Sequence, residues 1–482
     1  MESTTLESGT GTGAFAHELL LELVEIVGTY HVLTDPETME PYRRDMQPLG
    51  EVGLPLAVVR PRTTEEVSAV VLACGRAGVP IIPRGAGSGM TGAANAVDGA
   101  ITLVLTRMND ISVDEEAQVA TVQAGAVTLE VKTAAQEHGL FYAPDPTSAD
   151  WCTIGGNLAN GSAGPCGAKY GVTGDAVRGL TVVLASGEVL RTGRNTLKGV
   201  TGYDLNRLFV GSEGTLGIIT EAQLALSVSP PAPSTTLATF DDVHRAVDAV
   251  TRFLATGHTL SLLEIMDERC VSSVERYLEA PLNEDGPSPK AVLFGQSDTE
   301  NSAALDAFGT ACEEAGATLV YAAEDLAEGQ MLMNYWSSLE SALEQEGTWI
   351  LHETTVPRTK VAELIERIGQ ASRNRGIYVG VHGHAADGTV HPMIVMDSDA
   401  EGQLDAAAAV YQDILDIALD LGGPVTGEHG VGRMKCDRFA QSVGETGMAV
   451  HRAIKFALDP AGLLNPGCMG LAQDTSTDRR TA

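Results

Sequence analysis

Residues 83–92 read Pro83-Arg84-Gly85-Ala86-Gly87-Ser88-Gly89-Met90-Thr91-Gly92 and follow Val79-Pro80-Ile81-Ile82, a short apolar run that reads as a buried strand. The stretch Gly87 to Gly92 matches GxGxxG. A dinucleotide-binding Rossmann turn, however, opens straight into an amphipathic helix whose N-terminus meets the pyrophosphate. Here Ala93-Ala94-Asn95-Ala96-Val97-Asp98-Gly99 comes next and then a second strand at 101–105, so the helix is missing. Two readings stay open for the loop on its own. It is either a glycine-rich turn that binds nothing, or a nest of successive backbone amides facing an anion without a helix dipole.

Outward from this loop the chain alternates helices and short strands. Thr63-Thr64-Glu65-Glu66 reads as a capping box that opens a helix reaching Gly78. Further strands are expected at 120–123, 180–185 and 217–226, a helix at 127–138, and a hairpin turn at Ser186-Gly187. A second cluster of small residues follows, with Pro144-Asp145-Pro146-Thr147-Ser148, then Thr153-Ile154-Gly155-Gly156-Asn157-Leu158-Ala159-Asn160 and Lys169-Tyr170-Gly171. Backbone this free of side chains lets a planar ring lie against it, while Thr, Ser and Asn supply donors to the ring edge.

Taken in order, PRGAGSGMTG, PDPTS, TIGGNLAN, KYGVTGD and GSEGTLGIIT resemble the FAD-binding domain of the vanillyl-alcohol oxidase superfamily, also called the PCMH-type FAD fold. The resemblance spans residues 50–228. It implies an α+β protein, with a PCMH-type FAD-binding domain of two α/β subdomains and an α+β substrate or cap domain built on an antiparallel sheet. It also implies that Arg84, Gly85, Ala86, Gly87, Ser88, Gly89 and Thr91 wrap the FAD pyrophosphate. Pro146, Thr147 and Ser148 would line the isoalloxazine together with Ile154, Gly155, Gly156 and Asn157. Asn160 and Gly164 would approach the ribityl and diphosphate, and Gly217 and Ile218 would take part through their backbone. Many relatives attach the flavin covalently through a His in the first loop or a Cys near the second. Residues 61–137 contain no His, and Cys152 stands one position from the linking Cys, so FAD is expected to be non-covalent.

Pro230-Pro231-Ala232-Pro233 is the best candidate linker. Beyond it the rhythm changes to longer helices, at 241–255, 267–279, 300–315, 325–345, 358–373 and 402–421. Strands are expected near 258–265, 290–296, 317–322, 348–356 and 376–382. Four segments are therefore expected: 1–50, a helical stretch packing on the FAD domain; 51–228, the FAD-binding domain; 229–425, the substrate domain; and 426–482, returning to the FAD domain.

The second constellation lies in His382-Gly383-His384-Ala385-Ala386-Asp387-Gly388-Thr389-Val390-His391-Pro392, joined further on by Thr426-Gly427-Glu428-His429-Gly430-Val431-Gly432. Two imidazoles and a carboxylate suit a divalent metal that keeps open positions. For each histidine alone, a buried ring bonded to a carbonyl is the alternative. The two segments resemble the C-terminal signature of FAD-linked 2-hydroxyacid dehydrogenases, HxGDGNxHP followed by GEHGxG. By that resemblance His384, His391 and Glu428 are metal ligands (zinc, or else manganese or iron), and His429 is the active-site base. Ala386 and Thr389 depart from the pattern without removing a ligand, and His382 is extra to it, read as supporting or structural. Arg358 is a candidate anchor for a substrate carboxylate. The Arg and Lys that hold the distal carboxylate in D-2-hydroxyglutarate dehydrogenases have no counterpart around Trp336 or Leu351, which favours a smaller or more apolar acid.

The implied reaction is FAD- and metal-dependent oxidation of a D-lactate-like or glycolate-like acid to the 2-oxo acid. The alternatives are oxidation of another alcohol on the same fold, or alkyl-glycerone-phosphate synthase-like chemistry. The electron acceptor (quinone, electron-transfer flavoprotein, cytochrome or O2) stays open, as does a homodimer. Composition narrows the partners. With 64 acidic against 31 basic residues and a net charge of -33, the chain would repel a phosphate backbone, which argues against nucleic acid. Seven scattered cysteines without a CxxC pair read as reduced thiols. The acidic N-terminus has no basic signal region, and no apolar run reaches the roughly 18 residues a membrane span needs. A cytoplasmic location is expected.

Overall fold

The computed structural model describes residues 12–193, 196, 198–283 and 286–471. The outer ends of the first and last expected segments, 1–11 and 472–482, lie outside the described residues. Around the glycine loop stands a four-stranded sheet in the order Val32–Leu33, Ala57–Val59, Ile101–Val104, Ile81–Arg84, the last three parallel. The helix Thr64–Ala77 crosses between Ala57–Val59 and Ile81–Arg84. It is capped by Thr63, whose Oγ1 accepts from the Glu66 amide at 3.2 Å, and stopped by Gly78 at φ 65°. Its buried Val67, Val70 and Val71 pack with Ile81, Ile101 and Leu103, and the N-terminal helix Thr12–Val27 adds Leu19 and Leu23. Beside it lies a five-stranded antiparallel sheet, Ile111–Asp114, Val119–Gln123, Ile218–Ala225, Val177–Val183, Val189–Arg191. Gly187, at φ 80°, turns the final hairpin.

The second cluster of small residues forms the short helix Ile154–Asn160. Its glycines have a packing reason: a Cβ on Gly155 would stand 2.6 Å from the Ala124 Cβ, so only glycine lets this turn rest on the neighbouring strand end.

After the proline run, a larger antiparallel sheet orders Leu319–Ala322, Ser234–Phe240, Ala291–Ser297, Leu262–Asp267, Tyr378–His384, Thr389–Met396 and Thr348–Leu351, with Thr354–Thr355 also on Thr389–Met396. Helices Val243–Ala255, Ala303–Glu314, Val361–Arg375 and Gln403–Asp420 cover one face. Glu268–Leu278, Leu326–Ser337 and Leu339–Glu346 cover the other. The single helix expected over 325–345 is two. The hydroxyls of Ser337 and Ser338 bond back to the Asn334 carbonyl, at 3.3 and 2.7 Å, which competes with helix continuation at that point.

The strand Thr389–Met396 was not expected at all. It pairs with Tyr378–His384 through a tight turn in which Gly388, at φ 92°, backs onto the Val356 carbonyl. Finally the chain returns to the first sheet, where Asn465 donates its amide to the Ile81 carbonyl at 2.8 Å and Ile81 donates to Leu463 at 2.9 Å. Among the described residues no helix is long and apolar enough to cross a membrane.

Candidate active site

Period-two alternation of the sheet explains how the histidines meet. In the hairpin, His382 sits directly opposite His391, and His384 lies two residues along the same face. On the next strand Glu264 is the cross-strand partner of His384. One face of the sheet thus carries Glu264, His382, His384 and His391, whereas Val379 and Val381 point to the opposite core.

Glu428 reaches this face from the loop 422–434. Its Oε1 lies 3.3 Å from His384 Nε2 and 3.2 Å from His391 Nε2, and the two Nε2 atoms are 3.3 Å apart. Atoms at about 2.1 Å from a shared tetrahedral ion would be roughly 3.4 Å from one another, so the triangle has the size such an ion requires. The outer support is also present. Glu264, fully buried, takes His384 Nδ1 at 2.7 Å and turns Nε2 toward Glu428 and His391. Burial opposes charge on His384, yet Glu264 and Glu428 outweigh it and hold its pKa well above the ordinary value. Burial likewise opposes ionisation of Glu428, and the two histidines hold it well below. The donor set therefore fits a divalent metal.

His429 follows Glu428 and stacks on His391, ring centres 5.3 Å apart and planes inclined by 27°. Burial pushes its pKa down to about 4, against Glu353, with His391 lowering it further. At neutral pH the ring is therefore uncharged and able to accept a proton. Beside it, burial would raise Glu353, but Lys435, His429 and the Thr426 hydroxyl prevail and hold its carboxyl at about 2. Glu353 also accepts the Gly427 amide at 2.6 Å and shapes the loop from beneath. From the other side Glu213 accepts the amides of Val431 and Gly432, both at 2.7 Å.

The two constellations line one cavity, with about 1460 Å³ of empty space including its mouth. His382, His384, His391, Glu428, His429 and the glycine loop all line it, and the Thr91 hydroxyl donates to the His429 carbonyl at 3.4 Å. Among the described residues the amides of Gly85 to Thr91, all in the cavity wall, donate no hydrogen bond within the protein, so this run of backbone donors is open to an anion such as a diphosphate. Thr153 Oγ1 and Ser162 Oγ, both buried in the cavity wall, lack protein partners as well. Gly217, also in the cavity wall, packs so closely on the strand behind it that a Cβ would stand 2.5 Å from Val182 Cγ1. These features fit FAD.

Most residues expected at the cofactor line the cavity, including Ala86, Ser88, Gly89, Pro146, Thr147, Ser148, Gly156, Asn157 and Ile218. Three expectations need correction. The Arg84 guanidinium turns under the loop and donates to the carbonyls of Arg44 (2.7 Å), Ala94 (3.3 Å) and Pro41 (3.4 Å), so it braces the loop from below. Gly87 must be glycine because a Cβ there would drive into that guanidinium. Ile154 is fully buried in the core beside Leu158 and Tyr142, because its helix turns it away from the cavity. Asn160 and Gly164 line the cavity and in addition reach Glu428, through Asn160 Nδ2 to its carbonyl at 2.5 Å and the Gly164 amide to Oε2 at 2.9 Å. Arg358 is exposed and lines a separate hollow behind the hairpin turn, with Asp387 and Phe253. Its place on the outer side of the turn keeps it from the cavity.

Glu264, Glu353 and Glu213 escaped notice in the sequence. The available signal was a lone charge inside an apolar strand, as in Leu262-Leu263-Glu264-Ile265-Met266 and Ile350-Leu351-His352-Glu353.

This fold, with its glycine-lined cavity beside a His/His/Glu cluster, defines an FAD-linked oxidoreductase. The chain belongs to the FAD-linked oxidase family: residues 229–469 match the model for FAD linked oxidases, C-terminal domain, and residues 55–193 match the FAD binding domain. It is 38% identical over 421 residues to the glycolate oxidase subunit GlcD of Bacillus subtilis (strain 168), covering 86% of this chain and 89% of that one. It is 31% identical over 459 residues to a D-lactate dehydrogenase of Anaerostipes hadrus, covering 93% and 96%. Among solved structures, p-cresol methylhydroxylase with substrate bound superposes with a TM-score of 0.80 at 20% identity, covering 95% of this chain and 97% of that one, which shows the shared fold.

Proposed function

We propose that this enzyme oxidises a small D-2-hydroxy acid, lactate-like or glycolate-like, to the 2-oxo acid in a metal-dependent reaction with His429 as general base. The observation that carries the proposal is the convergence of His384, His391 and Glu428 within 3.3 Å beside a neutral His429, in the cavity that the glycine loop closes. The names of the relatives, a glycolate oxidase subunit and a D-lactate dehydrogenase, support the substrate class.

His384, His391 and Glu428 would hold the ion, which supplies Lewis-acid chemistry toward the hydroxyl and carboxylate of a 2-hydroxy acid. The loop amides of residues 85–91, with Thr153, Ser162 and the backbone at 146–148, would hold FAD, which supplies the hydride acceptor. His429 takes the hydroxyl proton on an imidazole nitrogen, and Glu353, ionised and fixed by Lys435 and Thr426, stabilises the positive charge that forms there. Glu264 fixes the His384 tautomer by accepting from Nδ1. Asn160 and Gly164 tie Glu428 to the FAD-binding domain, so the two halves of the reaction keep a fixed separation.

The test is anaerobic flavin reduction by a panel of D- and L-2-hydroxy acids, before and after chelation, with metal content measured in His384→Ala and Glu428→Ala. Bleaching by D-lactate or glycolate that is lost on chelation and restored by metal is the expected result. Unchanged bleaching after chelation, or equal metal content in variants and parent, overturns the proposal.

A further inference from the structure

Among the described residues the cavity wall offers no available cation: the one Lys or Arg lining it is Arg84, 5% exposed and committed to three backbone carbonyls. What faces the same space instead is Glu340, in the first turn of the helix Leu339–Glu346. Among the described residues it makes no hydrogen bond or ion pair. Its ionisable neighbours include His391 on the catalytic side and the carboxylates of Asp150 and Glu344; partial burial first and these two carboxylates next push its pKa up, which is why the test below uses mildly alkaline buffer.

The preceding residue, Leu339, is 3% exposed and packed in the core with Leu343 and Tyr335, so the helix cannot turn another group into the place of Glu340 without unpacking. A ligand whose carboxylate lies at the His/His/Glu cluster would extend its tail past Leu351 and Glu340, which line the wall there.

We propose that Glu340 is a specificity-determining residue that excludes 2-hydroxy acids carrying a second carboxylate and so restricts the enzyme to monocarboxylates with neutral tails. This rests on the 2-hydroxy-acid reading above. The physics is repulsion at short range across the cavity, whose wall Glu340 joins with an exposed carboxylate. At an effective dielectric of about 20, a like charge some 8 Å away costs on the order of a tenfold change in binding or more. A hydroxyl or alkyl tail meets no such penalty.

The experiment compares D-lactate with D-malate, which differ by the tail carboxylate, as reductants of the FAD-loaded, metal-loaded enzyme in mildly alkaline buffer. The wild-type protein, Glu340→Gln and Glu340→Asp are measured side by side. The expected result is strong preference for lactate in the wild type. Glu340→Gln should raise the malate-to-lactate ratio of kcat/KM about tenfold, through KM for malate, with lactate kinetics changed by less than about threefold. Glu340→Asp should keep the rejection. Equal use of both acids by the wild type, or an unchanged ratio in Glu340→Gln, overturns the inference. If no 2-hydroxy acid reduces the flavin, the functional reading fails and the selectivity is read from binding. Flavin absorbance is then titrated with 2-oxobutyrate and 2-oxoglutarate in the same three proteins. A Kd ratio that shifts in Glu340→Gln supports charge exclusion, and one that does not shift overturns it.

Discussion

Beneath the glycine loop, Asp45 accepts the amides of Gly92 at 2.7 Å and Gln47 at 3.0 Å, and burial pushes its carboxyl up to about 6 from an ordinary 3.8 against the pull of those bonds and of Arg84 and Arg44. The unfolded chain releases this proton at lower pH than the folded one. The contribution of the group to stability is therefore fully present below the unfolded value and lost as the pH rises through about 6, a loss of up to about 3 kcal/mol. Asp45→Asn should remove this dependence, so urea unfolding of variant and parent compared from acidic to neutral pH should show the variant gaining on the parent. Parallel stability curves would count against it. At the catalytic end, His429→Gln should leave the flavin bound and lower kcat by about 10²-fold or more. Unaltered turnover would remove the base from that position. Residue identities were legible here, but side-chain direction was not. Nothing in the sequence tells that Arg84 points under its loop or that Ile154 points into the core.

The hairpin Tyr378–His384 and Thr389–Met396 is the element that assembles the cluster, and its turn carries the geometry. Gly388 adopts φ 92° and has the Val356 carbonyl where a Cβ would stand. Gly388→Val should therefore displace His384 relative to His391 although it alters neither ligand. We expect lower metal content and a Tm reduced by several degrees, as for other losses of a special backbone conformation. Retained metal stoichiometry and Tm would show that the turn is slack. The sequence of this element misleads because its glycines and polar residues hide the strand signal, while Pro392 demotes it by the usual rule. The structure keeps the strand because it has neighbours on both sides, Thr348–Leu351 and Tyr378–His384, and all eight residues of Thr389–Met396 are buried.

At the scale of the whole molecule the proposed metal donors come from two places. His384 and His391 belong to the large sheet. Glu428 belongs to a loop that Glu213, Asn160 and Gly164 tie to the FAD-binding domain. Lys169 and Tyr170 of that domain also close on Asp298 at the end of the strand Ala291–Ser297, the tyrosine hydroxyl at 2.5 Å. An ion held across this boundary stabilises the joined state by mass action, by about 2.7 kcal/mol at a hundredfold excess over its Kd. Chelation should accordingly lower Tm and split calorimetric unfolding into two transitions. A single transition at unchanged Tm would mean that the ion does not bridge the two parts. The charge of -33 bears on this scale too, since an anionic substrate is repelled by the molecule as a whole and is held only by local groups.

By itself the sequence determined the class of fold and, through resemblance, the loop proposed to receive a diphosphate and the proposed His/His/Glu donors. Glycine patterns and imidazole pairs are local chemistry, and their spacing survives in one dimension. The tertiary structure decided which glutamates support those donors, which arginine serves the site and which does not, and what faces the substrate tail. Glu264, Glu353, Glu213 and Glu340 lie 75 to 215 residues from Glu428 in the chain. Only strand register and the return of the loop 422–434 bring the first three into hydrogen-bonding range of the site, where burial gives their carboxylates leverage.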